Sequence, residues 1–119
     1  MSEFLERTRA PAFPLARRTG VGAPPDTPLE GLPRESAFYR MIIEGQETIN
    51  TGLAEQDVIA AGRRLIERHP EVGAMVVECA NMPPYSTALR RAVNLPIYDS
   101  ADFVHWFYRS LSPHRFPRT

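Results

Sequence analysis

The sequence predicts an α/β fold: a partial Rossmann-like parallel sheet with flanking helices. Three observations predict it. Two short apolar runs, Ala74-Met75-Val76-Val77 and Leu95-Pro96-Ile97-Tyr98, read as strands. Between them, Tyr85 to Asn94 has helix-like content and follows a polar turn, Ala80-Asn81-Met82, and Pro83-Pro84. Ahead of them, Ala54 to His69 carries Val58, Ala61, Gly62, Leu65 and Ile66 at the i, i+3, i+4, i+7, i+8 spacing of one buried helix face. Strand, turn, helix, strand is a βαβ unit, and its crossover makes the two strands parallel.

The elements follow in order. Residues 1–33 hold Pro11, Pro14, Pro24, Pro25, Pro28 and Pro33, half of the 12 prolines, so this stretch reads as a flexible arm. Only Ser2 to Arg9 has the makings of a helical turn, and Arg7, Arg9, Arg17 and Arg18 read as solvated. Arg17-Arg18 precedes no apolar core, so a twin-arginine leader is not expected. An α/β lobe is expected over residues 34–111, with a tail over 112–119. Its first helix runs from Glu35 to Glu44, with Phe38, Met41 and Ile42 at helical spacing and Gly45 as the stop. Asn50-Thr51-Gly52 has turn chemistry. Arg68 and His69 complement the dipole of the next helix and Pro70 ends it, which makes His69 a helix-end residue rather than a general base.

The helix after the polar turn buries Ala88, Leu89 and Ala92, turns Arg90 and Arg91 to solvent, and stops at Asn94. Pro96 places the second strand at an edge or marks its start. Asp99-Ser100 caps a last helix with Asp102 in its first turn. There Val104, Phe107, Tyr108 and Leu111 form an apolar stripe that Phe103 and Trp106 broaden. That much aromatic surface calls for cover, by a neighbouring lobe, a subunit or self-association.

Composition excludes several classes of function. With 14 basic and 14 acidic residues the net charge is zero, which argues for neither nucleic acid nor an anionic membrane as partner. Every basic residue is arginine. One cysteine forms no internal disulfide, which suits a reducing, cytoplasmic setting. No apolar run nears the ~18 residues of a membrane span. Glycine-rich phosphate loops, CxxC, HExxH and Ser-His-Asp arrangements do not occur, and His105 and His114 have no partners at metal-ligand spacing, so no metal is expected.

The chemistry is expected where the first strand ends, at Glu78-Cys79. Ligands of open α/β sheets bind outside the carboxyl ends of the strands. Pro83 or Pro84 suits the first position of the following helix, and the positive end of a helix dipole stabilises an anion. Cys79 therefore stands where a nucleophile or base is useful. It equally fits a buried free cysteine acting as a small hydrophobe. Spacing alone leaves both readings open.

The eight residues Glu78-Cys79-Ala80-Asn81-Met82-Pro83-Pro84-Tyr85 (ECANMPPY) resemble the second-cysteine motif of the aspartate/glutamate/hydantoin racemase family, in a branch that reads ECTNMPPY. The similarity runs from about Gly31 to Leu111, including GAMVVEC and LPIYD. The resemblance implies one lobe of a two-lobed racemase fold, with one cysteine from each lobe at the cleft. It implies a cofactor-independent isomerase with neither pyridoxal phosphate nor metal. Cys79 would be one of two acid/base thiols acting on the α-carbon of a small amino-acid-like carboxylate. Ala80 and Asn81 would help hold the substrate carboxylate. Two departures stand out. Ala80 replaces the family's usual threonine, and the chain carries neither a first lobe nor a second cysteine. On this resemblance the second acid/base falls to Glu78, Asp99 or another subunit, and the partner is a homo-oligomer or a missing first lobe. The alternative expectation is a truncated, non-catalytic remnant or interaction module.

Overall fold

A computed structural model of the chain describes residues 24, 26–45, 48 and 50–118. They form two compact units, one ending at Val72 and one beginning at Gly73.

The first unit is helical. Helix α1 (Ala37–Ile42) starts where Ser36 can cap it: Ser36 Oγ accepts from the Tyr39 N–H at 3.1 Å and donates to the Pro33 carbonyl at 2.6 Å. That double use of one hydroxyl satisfies a helix-end donor and holds the entering chain. The helix is shorter than the Glu35 to Glu44 reading, because Ser36 sets its start and Gly45 adopts φ +66 beyond its end. Helix α2 (Thr51–Arg68) begins three residues earlier than its apolar pattern. The reason is Asn50, whose Oδ1 accepts from the Leu53 N–H at 3.0 Å. An Asn-Thr-Gly sequence that reads as a turn thus becomes a cap and first helical turn. Ala54, Val58 and Gly62 form the buried row of α2, with Ala61, Leu65 and Ile66 half-buried beside it.

Helix α1 packs against α2, and the Phe38 N–H donates to Asp57 Oδ2 at 3.2 Å. A second tie comes from upstream. Glu30 accepts from Arg64 Nε at 2.9 Å and from Arg68 Nη1 at 2.8 Å. Arg64 Nη2 also donates to the Gly31 carbonyl at 3.3 Å, and Leu32 is 2 % exposed. Residues 30–32, which proline density places in a flexible arm, are therefore fastened to α2. Residues 1–23 of that arm lie outside the described residues.

The second unit is the βαβ element. Strand β1 (Met75–Val77) leads through a 3-10 turn (Pro83–Tyr85) into α3 (Ser86–Val93), then β2 (Ile97–Asp99) and α4 (Ser100–Leu111). The strands pair in parallel, Met75 with Ile97, Val76 with Tyr98 and Val77 with Asp99. Helix α3 packs on β2 and ends at Asn94, which takes the left-handed conformation (φ 54) and donates its N–H to the Arg90 carbonyl. Met75, Val77, Tyr85, Leu89 and Val93 are the buried apolar residues of this unit.

The architecture is thus mixed α/β, a small two-stranded parallel sheet with flanking helices. Burial of both sheet faces, which apolar parallel strands lead one to expect, does not occur. Val76 is 75 % exposed and Tyr98, its neighbour in register, 58 %. No helix among the described residues is long and apolar enough to cross a membrane.

Phe38→Ala should lower the stability of the first unit by about 3–5 kcal/mol, as expected for deleting a buried aromatic ring. Leu53→Ala, at a half-exposed position, should change it by no more than about 0.5 kcal/mol. Urea unfolding followed by far-ultraviolet circular dichroism measures both, and equal effects would contradict this assignment of the core.

Candidate functional site

Parallel strands end at the same edge of their sheet, so the residues after Val77 and after Asp99 share one end. The first of these segments is a turn. The Met82 N–H donates to the Cys79 carbonyl at 3.0 Å, and the Tyr85 N–H to the Met82 carbonyl at 2.8 Å. Cys79 is half-buried at the start of this turn, with a free thiol. Ala80 and Asn81 are exposed at its tip, and Glu78 is exposed just before it. Pro83 and Pro84 fill the first positions of the 3-10 turn rather than of the α-helix. The expected succession of thiol, then helix start, therefore gains an extra turn, because two prolines and the aromatic Tyr85 are accommodated before Ser86 opens α3.

Ser86 is the residue that sequence reasoning misses here. Its Oγ donates to Asp99 Oδ2 at 2.6 Å. The other carboxylate oxygen of Asp99, Oδ1, accepts from the Asp102 N–H at 2.9 Å and caps α4. One side chain at the strand end thus joins the start of α3 to the start of α4. The signal available in the sequence was a hydroxyl residue at a helix start opposite an Asp at a strand end, which is too common to single out a pair.

Burial pushes the Asp99 carboxyl pKa up. The Ser86 hydroxyl, the backbone N–H groups of Asp102 and Ala101, and the charge of His105 outweigh this and hold it below the usual carboxylate range. An ionised carboxylate with both oxygens engaged is a structural cap and a poor proton donor, so Asp99 does not fit a second acid/base role. Glu78 stands in solvent. His69 ends α2, as its position suggests, with Nδ1 3.3 Å from Glu71 Oε1.

The geometry brings together Cys79, the turn tip of Ala80 and Asn81, and the Ser86–Asp99 pair around one end of one small sheet. It holds a half-buried free thiol at the start of a turn whose tip, Ala80-Asn81, is exposed. Among the described residues no group of three His, Cys, Asp or Glu side chains is placed to hold a metal ion. A surface groove of about 390 Å³ runs along α2 between Gln56, Arg63 and Glu67, and includes none of these residues.

No protein-family model matches the chain, and no solved structure does. Two curated relatives match, and both are named dimethylsulfoniopropionate lyases. One, from Durusdinium sp. clade D, is 30 % identical over 103 aligned residues, which cover 74 % of this chain and 34 % of the relative. The other, dimethylsulfoniopropionate lyase 5 from Emiliania huxleyi (strain CCMP1516), is 34 % identical over 62 residues, 50 % of this chain and 12 % of the relative. The chain thus spans about a third of the length of the first relative and a smaller share of the second. An alignment covering 74 % of 119 residues necessarily includes the middle of the chain, and so Cys79, wherever it begins.

These matches overturn the racemase reading. The relatives are named as lyases, a different family, and the amino-acid isomerase activity, with Cys79 as one of two acid/base thiols, is withdrawn. They lend no better support to a non-catalytic remnant.

The state of Asp99 sets an acid-side prediction. Its folded pKa is depressed, so its stabilising contribution is complete above the unperturbed ~3.9 and is lost as pH falls through the lower folded value. Asp99→Ala should cost the second unit about 1–3 kcal/mol at neutral pH, by uncapping α4 and stranding Ser86. Asp99→Asn keeps a capping oxygen without the charge, and its stability deficit should shrink as pH falls below about 3.9. Thermal melts at graded pH test this, and a constant deficit across that window would show that the charge contributes nothing.

Proposed function

We propose that this chain is part of a dimethylsulfoniopropionate lyase-type enzyme, with Cys79 as the base that starts the elimination. The similarity to two proteins bearing that name carries the reading. The chemistry of the site supports it. Dimethylsulfoniopropionate has a carboxylate at one end and a dimethylsulfonium at the other, joined by two carbons. A lyase breaks its C–S bond by elimination. The base takes a proton from the carbon next to the carboxylate, and that C–H electron pair becomes the C=C bond of acrylate. The C–S pair leaves with sulfur as neutral dimethyl sulfide. The proton ends on the base and returns to solvent, and no oxidant, reductant or water is consumed.

This reaction asks for one base, where inversion at a carbon asks for two groups on opposite faces. Cys79 lies just past the carboxyl end of β1, where open α/β sheets bind their ligands, and it is only half-buried. The backbone N–H of Ala80 and the side-chain amide of Asn81, exposed at the turn tip, are donors suited to the substrate carboxylate. The Ser86–Asp99 pair acts behind them by fixing the start of α3 against β2. A small carboxylate is the substrate class, with neither nucleic acid nor a membrane as partner, and a working free thiol suits a reducing, cytoplasmic compartment. We further read the two-stranded sheet and its flanking helices as belonging to a Rossmann-like lobe.

The test is release of dimethyl sulfide from dimethylsulfoniopropionate, measured in the headspace. Cys79→Ser should lower the rate by about 10²–10⁴-fold with the fold intact, the range for loss of a general base. Asn81→Ala should act mainly through a raised KM, by about ten-fold or more, the cost of a lost charge-assisted hydrogen bond. In parallel, dimethylsulfoniopropionate or acrylate should slow alkylation of Cys79 by iodoacetamide. Turnover unchanged in Cys79→Ser, or no turnover together with no protection, would refute the assignment.

A further inference from the structure

Helix α4 has twelve residues and none of them is buried. Its sequence is nevertheless sharply two-sided. At 100° per residue, Phe103, Val104, Phe107, Tyr108 and Leu111 fall on one face, while Asp102, His105 and Arg109 gather on the opposite one. Phe103, Phe107 and Leu111, at i, i+4 and i+8, form the centre of the apolar row, and they are 64 %, 55 % and 69 % exposed. Val104 and Tyr108 flank them at 60 % and 68 %, and Trp106, stacked obliquely on Phe103 with centroids 6.1 Å apart, extends the surface at 67 %. The start of α4 is tied down by the Asp99 cap.

We infer that α4 is a self-association surface: two copies of the chain pair their α4 helices face to face about a two-fold axis. Three features select a second copy. The first is area. Large aromatic side chains present ~150–250 Å² each, so at the observed exposures the five side chains of that face offer on the order of 550 Å² per chain. Two copies together thus present roughly the ~1,000 Å² that a specific interface has to clear. The second is the absence of any charged residue from the apolar row, so that an identical row can meet it without burying an ion. A partner read by charge would need the opposite. The third is the row itself: side chains at i, i+4 and i+8 make the ridge that packs into the matching groove of another helix, and an isologous pair supplies ridge and groove from one sequence. The inference does not depend on the reaction proposed for Cys79.

Sedimentation equilibrium of the whole chain from about 1 to 100 μM, spanning the affinities usual for interfaces near this size, should show a reversible monomer–dimer equilibrium. Trp106 emission should shift to shorter wavelength as the dimer forms. Phe107→Asp places a charge at the centre of the row and should weaken association by at least about 30-fold. Because Phe107 is exposed in the single chain, circular dichroism of that variant should match the parent. Arg109→Ala, on the opposite face, should leave the equilibrium unchanged. A chain that stays monomeric throughout, binds itself equally well as Phe107→Asp, or loses association in Arg109→Ala would overturn the inference; the first result would leave the row to a different polypeptide.

Discussion

Asp99 sits where a strand ends and two helices begin, and its two oxygens are used separately. One takes the Ser86 hydroxyl at 2.6 Å, the other the Asp102 N–H at 2.9 Å. Each helix start carries unsatisfied N–H donors and a partial positive charge, so an ionised carboxylate is stabilised there and stabilises in return. A sheet of two three-residue strands has few ladder hydrogen bonds of its own. Its crossover geometry therefore leans on this cap, on the Met75 N–H to Pro96 carbonyl bond at 2.9 Å, and on the burial of Leu89 and Val93. The position of the Cys79 turn follows, because that turn spans the gap between a strand and a helix that Asp99 helps to hold.

The first unit uses a comparable device. Glu30 bridges Arg64 and Arg68 one turn apart on α2, and Leu32 supplies the apolar anchor beside it. Exposed ion pairs contribute little, but Glu30 is largely covered and accepts from two guanidinium groups. Elsewhere the chain leaves apolar surface open: Val76 and Tyr98 on the sheet, and the length of α4. Protein surfaces of this kind are normally covered by more polypeptide or by another copy.

The failure of the racemase reading has a chemical reason. An eight-residue motif around a thiol specifies where that thiol stands, after a strand and before a turn that leads into a helix. It does not specify which bond breaks once a proton has left the carbon next to a carboxylate. With no leaving group the proton must be returned; with a sulfonium one carbon further, the electrons expel sulfur. The difference lies in the substrate and in the walls of the site. Neither is encoded in ECANMPPY, and the relatives, rather than the motif, carry the lyase reading.

Local chemistry was legible in the residues themselves. The two strands that fall on the apolar runs at residues 74–77 and 95–98, the Asp99 cap, the Asn94 stop and the helical pattern of α2 all follow from short-range preferences of backbone and side chain. Those preferences act within one or two turns, where sequence distance is spatial distance. Asn50 is ambiguous for the same reason: a turn and a helix cap use the same kind of side-chain hydrogen bond, and here its Oδ1 accepts from the Leu53 N–H and caps α2. The tertiary structure alone decided what lies far apart in sequence: Glu30 with Arg64 and Arg68, Ser86 with Asp99, and the Val76–Tyr98 face left open. A proline-rich stretch carries no mark that its last residues will find two arginines more than thirty positions on. Such pairings depend on how the chain closes its loops and which surfaces are covered, and no local pattern encodes that.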